Sequence, residues 1–316
     1  MCRLNIPSVF IYGGSILPGK FKGKDVTVVD VYEAVGQHAN HQISDKDLEE
    51  LEISACPSAG ACGGQFTANT MACVSEAIGL ALPYSSGTPA PYKERDKYAY
   101  ASGKAVMELL KKNIRPRDIV TLKSLHNAAT IVAATGGSTN AALHLPAIAN
   151  ECGIKFDLFD VAKIFKKTPY LADLKPGGKY VAKDMFEAGG APMLLKTLLD
   201  GGYIYGDCLT VTGKTMKENL SYTSYVPFIP NNNVNFSNRM NIPSLDNYAI
   251  IDSVTTAPLL IRAAMKSSNP NVSPVIDLQQ LSLYATSNLI NKNQHGLRTI
   301  HNRSKLSQCL RHQSSL

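Results

Sequence analysis

No apolar run in this 316-residue chain approaches the roughly 18 residues needed to span a bilayer, so a membrane role has no support. No secretory segment precedes the cysteines, and none of the later glycine pairs, at 177–178, 189–190 and 201–202, has dinucleotide or P-loop spacing. Those pairs read as turns. The cysteines Cys2, Cys56, Cys62, Cys73, Cys152, Cys208 and Cys309 are odd in number and scattered. They suit a reducing compartment better than a disulfide framework, so the expected location is the cytoplasm, or an organelle stroma or matrix in a eukaryote.

Negative charge is scarce in one region only. No Glu follows Glu218, and Ser221 to Leu316 holds eight Lys or Arg against three Asp, which accounts for most of the net charge of +7. A nucleic-acid surface concentrates basic residues on a folded, aromatic- or glycine-rich face. Here they are spread thinly through polar sequence, so no nucleic-acid partner is expected. The same break organises the chain. Residues 1–220 alternate apolar segments, glycine turns and amphipathic stretches, whereas 221–316 carries Asn231-Asn232-Asn233, Ser267-Ser268-Asn269-Pro270 and a polar, basic terminus. That composition favours loop or disorder.

The coarse reading of 1–220 is α/β. Pro7 to Gly14 has the pattern of a buried strand ended by a glycine pair, and Gly206 to Gly213 holds a short β-like run. Helices are expected over Ser44 to Leu51, Phe66 to Leu82, Asp96 to Asn113, Thr139 to Cys152, Leu158 to Lys166 and Met193 to Leu199, with another beginning near Thr215. Phe66 to Leu82 carries almost no charge except Glu76, which implies burial on most faces. Asp96 to Asn113 is amphipathic, with Ala101, Ala105, Leu109 and Leu110 on one side. Asn127 to Thr135 fits helix or strand equally.

Two stretches carry chemistry. In Cys56 to Met71, Cys62 precedes Gly63-Gly64, where backbone amides can crowd a sulfur, and a helix start nearby favours the thiolate that binds metal. Cys56 and Cys73 are better read as structural, small hydrophobes. In Thr135 to His144, Gly136-Gly137 permits a tight approach, and Ser138 or Thr139 can cap a helix whose free N–H groups suit a carboxylate or phosphate. A plain capped turn is the simpler account of that motif alone. His144 reads as a core histidine.

Three segments in order, Ala55 to Met71, Ala134 to Leu145 and Gly206 to Lys214, closely resemble the dihydroxy-acid and 6-phosphogluconate dehydratase family, and its dihydroxy-acid dehydratases in particular. The resemblance runs from about Arg3 to Leu220. It implies a hydro-lyase of isoleucine and valine biosynthesis, converting 2,3-dihydroxy-3-methyl carboxylic acids to 2-oxo acids, and a homodimer. It also implies an iron–sulfur cluster, 2Fe–2S or 4Fe–4S, with Mg²⁺. A metal can carry the charge of a departing hydroxide while a serine takes the C2 proton. A sugar-acid dehydratase fragment and a non-catalytic remnant are the rival readings.

Carried over residue by residue, Cys62 matches a cluster cysteine, whereas Cys56 matches a motif cysteine that is not a ligand. Ser138 and Thr139 are the candidate substrate contacts. The family's other two cluster cysteines, with Mg²⁺ ligands beside one of them, belong to segments that resemble nothing here, and Cys2 does not replace them. The family's β-rich second domain, source of the serine base, has no counterpart after Ser221. The expected fold is therefore a partial N-terminal dehydratase domain, a mostly parallel sheet flanked by helices over 1–220. An unrelated, poorly structured tail over 221–316 replaces the β-rich domain, the product of a changed reading frame or a truncated gene. The polypeptide alone is expected to be inactive, with no catalytic residue of its own.

Overall fold

A computed structural model describes residues 1–223. The structural expectation for the tail lies, from residue 224 onward, outside the described residues. Helices dominate. A hairpin of β1 (Gly19–Phe21) and β2 (Lys24–Val26) leads into α1 (Val28–Ala39) and α2 (Asp45–Ala55), followed by α3 (Thr67–Ala77), α4 (Glu94–Lys112), α5 (Pro116–Ile119) and α6 (Leu122–Ala134). Then come α7 (Ala141–Glu151), α8 (Leu158–Lys167), α9 (Ala182–Glu187), α10 (Gly190–Asp200) and α11 (Met216–Leu220).

Helices α3 and α6 form the central pair. Ala72 and Ala77 on one, and Ala128, Ala129, Ala133 and Ala134 on the other, are all buried, and side chains this small let two helix backbones approach closely. One flank of the pair builds a core with Leu145 and Ala149 of α7 and Val161 and Phe165 of α8. The other flank meets Leu194, Leu195 and Leu198 of α10. Each fully buried leucine contributes about 2 kcal/mol of transfer free energy. A smaller cluster, Val26, Ala34 and Leu51, joins the hairpin to α1 and α2.

Local chemistry explains the helix starts. Ser44 Oγ accepts from Asp47 N at 3.1 Å, Asp157 Oδ1 from Phe159 N and Asp160 N at 2.8 and 3.0 Å, and Thr215 Oγ1 from Glu218 N at 3.2 Å. The ambiguous 127–135 stretch belongs to α6, whose start at Thr121 is capped the same way. α3 ends earlier than the composition suggests. Gly79 turns the chain at φ +91°, and a Cβ there would lie 2.8 Å from the Leu209 carbonyl. Leu110 of α4 is exposed, because it lies 100° around the helix from the buried Leu109 and only one of the two can face the core.

The sheet differs from the expectation of a mostly parallel one. Among the described residues the only sheet is the antiparallel β1–β2 pair, and parallel pairing is limited to single bridges, Phe10 to Ala81, Ser15 to Ala61 and Leu174 to Tyr180. The apolar run from Pro7 donates through Phe10 N to Leu80 O at 2.8 Å but meets the end of a helix there, so no ladder extends. The Gly206 to Gly213 run likewise forms one bridge, Leu209 to Thr215, with Thr210 N returning to Lys214 O at 3.0 Å in a tight turn.

Candidate functional site

The first two motifs meet at the N-terminal end of α3. Cys62 sits in the turn ahead of that helix rather than on it, half-buried, with its thiol directed to Gly64 O at 3.6 Å. Asn69, in the first turn of α3 and buried, donates through Nδ2 to Cys62 O at 2.7 Å and Gly64 O at 2.6 Å, with Cys62 Sγ 3.7 Å away. Its Oδ1 accepts from Tyr12 Oη at 2.7 Å. Burial, then the neighbouring Cys62, raise the Tyr12 phenol above its ordinary range, so it stays a donor. Arg95 donates to the Tyr12 carbonyl and anchors this chain of contacts to α4.

A second loop closes over the turn. Gln65 N donates to Lys175 O at 2.7 Å, and Lys175 Nζ reaches both oxygens of Asp30 on α1 at 2.8 and 2.9 Å. A Cβ on Gly64 would stand 2.8 Å from that same Lys175 carbonyl, so only glycine allows the approach.

The Gly136-Gly137-Ser138 turn comes in from α6. Thr70 Oγ1 of α3 accepts from Ser138 N at 2.9 Å, and Thr67 Oγ1 lies 3.1 Å from Ser138 Oγ. Asn140 Nδ2 donates to Thr67 Oγ1 at 2.5 Å, and Gln65 Nε2 to Thr135 Oγ1 at 3.1 Å. Gly137 is held so close that a Cβ would be 3.0 Å from the Thr70 side chain. Ser138 and Thr139 are both half-exposed and Asn140 is exposed, which leaves hydroxyl and amide groups facing solvent beside the Cys62 turn. Thr67, Asn69 and Asn140 were not singled out by sequence reasoning. Only their partners across the α3–α6 joint reveal them.

Two expectations need correction. His144 is exposed, since Ala141, Leu145 and Ala149 take the inward face of α7 and residue 144 turns away from it. Cys56 is exposed at the end of α2, so it does not serve as a buried hydrophobe. Cys73 is buried as expected, and burial pushes its thiol up to about 12. The third motif does not reach the site. Val211 N bonds Gly79 O at 2.8 Å, at the opposite end of α3, about 16 Å away along an 11-residue helix.

The donor set bears on any metal. Among the described residues no three His, Cys, Asp or Glu side chains are grouped as a metal site. Cys62 is half-buried, and burial pushes the Cys208 thiol to about 11 and the Cys152 thiol to about 12. Cys62 thus suits one thiolate ligand. The residues present do not by themselves fit a whole cluster, which needs further ligands.

Residues 1–219 match the sequence profile described as dihydroxy-acid/6-phosphogluconate dehydratase N-terminal. The chain belongs to the dihydroxy-acid/6-phosphogluconate dehydratase family. It is similar to the dihydroxy-acid dehydratase of Pelagibacter ubique, 82% identical over 227 residues, covering 72% of this chain and 40% of that relative. It is 72% identical over 225 residues to dihydroxy-acid dehydratase 2 of Mesorhizobium japonicum, covering 71% and 38%. Against the dihydroxy-acid dehydratase of Sulfurisphaera tokodaii it is 49% identical over 234 residues, covering 74% and 42%. The chain therefore spans about two fifths of the length of these dehydratase-family relatives. No described helix is long and apolar enough to cross a membrane.

Proposed function

We propose that this chain carries part of a dihydroxy-acid dehydratase, a hydro-lyase that converts 2,3-dihydroxy-3-methyl carboxylic acids to 2-oxo acids in isoleucine and valine biosynthesis, in the cytoplasm and as a homodimer. The observation that carries the reading is the joint at the head of α3, where Thr67 and Thr70 hold the Ser138 turn beside Cys62. Three relatives named dihydroxy-acid dehydratase, at 71–82% identity over the same residues, support this substrate class over 6-phosphogluconate.

In this proposal Cys62 supplies one thiolate to an iron–sulfur cluster, and Ser138 and Thr139, at the start of α7, hold the substrate carboxylate. Mg²⁺ ligands and a proton-abstracting serine are assigned to no described residue. The proposed dehydratase unit is 1–220, supported by a family match that ends at 219, and 221–316 is proposed as a segment outside that unit. The short parallel bridges of 10–81 and 15–61 are then pieces of the mostly parallel sheet of a whole N-terminal domain.

A transplant tests the reading. Residues 1–220 replace the matching stretch of the Pelagibacter ubique relative, and the purified chimaera is assayed for iron, sulfide and 2-oxo acid formation. Full activity, lost with Cys62→Ser, is expected, and the 316-residue chain alone is expected to be colourless and inactive. A folded, iron-containing chimaera that dehydrates only 6-phosphogluconate would overturn the proposed substrate.

A further inference from the structure

Helix α4 is the longest in the described residues, yet only Ser102 and Leu109 along it are buried and no other helix packs along it. Its outward face carries Asp96, Lys97, Lys104, Glu108 and Lys111, yet three large apolar side chains stand exposed among these charges. Tyr100 is 69% exposed, Met107 52% and Leu110 59%, and their spacing of seven and three places all of them on one stripe. Gly103 lies in the middle of that stripe. A glycine inside a helix weakens it, and the usual compensation, a crowded neighbour that forbids a Cβ, is missing, because nothing lies within 4 Å of where one would be. Such a glycine leaves room for another backbone to approach closely.

The charges on the stripe select the occupant. Asp96 stands one turn before Tyr100, and Lys111 one turn after Met107. In an antiparallel crossing centred between Gly103 and Lys104, Asp96 of one helix meets Lys111 of the other, and Tyr100 meets Met107. Both pairings occur twice by symmetry. Lys104 does not obstruct the crossing, since its Nζ lies over the Tyr100 ring at 4.6 Å and its stem lies along the helix. We propose that α4 is a self-complementary interface and that its partner is α4 of a second copy of this chain, packed antiparallel about a two-fold axis near Gly103. The inference rests on the homodimer part of the proposal above and names the surface that makes it.

The test is sedimentation of the full chain over a concentration series, with circular dichroism to follow folding. The expected result is a reversible dimer whose dissociation constant rises at least tenfold in Met107→Glu and in Asp96→Lys, and recovers in Asp96→Lys combined with Lys111→Asp. Gly103→Leu separates fold from interface, because it strengthens the helix while blocking the crossing: it should weaken the dimer without loss of helicity. A dimer indifferent to all of these variants would leave the homodimer standing and overturn α4 as its interface. A chain that is monomeric at every concentration would overturn both, and a stripe covered by the chain's own remaining residues would overturn α4 as the interface.

Discussion

The side-chain amide of Asn69 bonds the carbonyl of Cys62 at 2.7 Å, so the residue that begins to wind α3 also shapes the turn that presents the thiol. The same amide holds Gly64 O at 2.6 Å. One side chain thereby sets both ends of the Cys62-Gly63-Gly64 turn.

Removing that amide takes a donor from two carbonyls and leaves Gly64 O only the Cys62 thiol at 3.6 Å. Asn69→Ala should cost about 2–4 kcal/mol, the sum of two lost hydrogen bonds and a partly buried, unpaired acceptor. Urea unfolding measures it. Tyr12→Phe removes a single bond to Asn69 and should cost about 1 kcal/mol by the same assay.

Gly64→Ala and Gly137→Ala probe the two close approaches at the site. The first forces a methyl to within 2.8 Å of the Lys175 carbonyl, and the second to 3.0 Å of Thr70. Overpacking of this kind costs about 1–3 kcal/mol. Gly64→Ala should be the worse of the two, since backbone yields less than a threonine methyl, and thermal unfolding midpoints would rank them.

Stability should depend on pH through Glu76. Its carboxyl is buried, accepts from Ser86 N at 2.8 Å, Ser86 Oγ at 2.5 Å and Tyr84 N at 3.1 Å, and is pushed by burial from 4.5 up to about 7. Between those values the folded chain keeps a proton that the unfolded chain has released. Stability therefore falls as pH rises through that window and stays low above it, by about 3 kcal/mol for the full shift. In Glu76→Gln the difference between unfolding at pH 5 and pH 8 should shrink by that amount, and an unchanged difference would sink the assignment.

Thiol labelling should follow burial. In the folded protein iodoacetamide is expected to modify Cys56 first and Cys62 next, while Cys73 and Cys208 react only after unfolding. Peptide mass spectrometry after timed quenching gives the order.

Much of the helical skeleton is legible in the residues, because caps act locally: Ser44, Asp157 and Thr215 each accept from N–H groups two or three positions ahead. The first helix and the β1–β2 hairpin have no comparable mark in the expected element list, although Thr27 N bonds Asp30 Oδ2 at 2.7 Å at the start of α1. Pro7 to Gly14 reads as a strand because it is apolar, and apolarity signals burial whether the burying neighbour is a strand or a helix end. Phe10 meets the latter.

The sequence by itself determined the family and the motif order, since both depend on residue type and on spacing along the chain. Tertiary structure alone decided that the Ser138 turn joins the Cys62 turn while the Gly206 to Lys214 motif sits at the far end of α3. Tertiary structure also decided that Thr67, Asn69 and Asn140 belong to the site, and that His144 and Cys56 face solvent. The reason is packing: the alanine-lined contact of α3 with α6 brings residues about seventy positions apart to 2.9 and 3.1 Å, and no local pattern encodes which helix another will lie against.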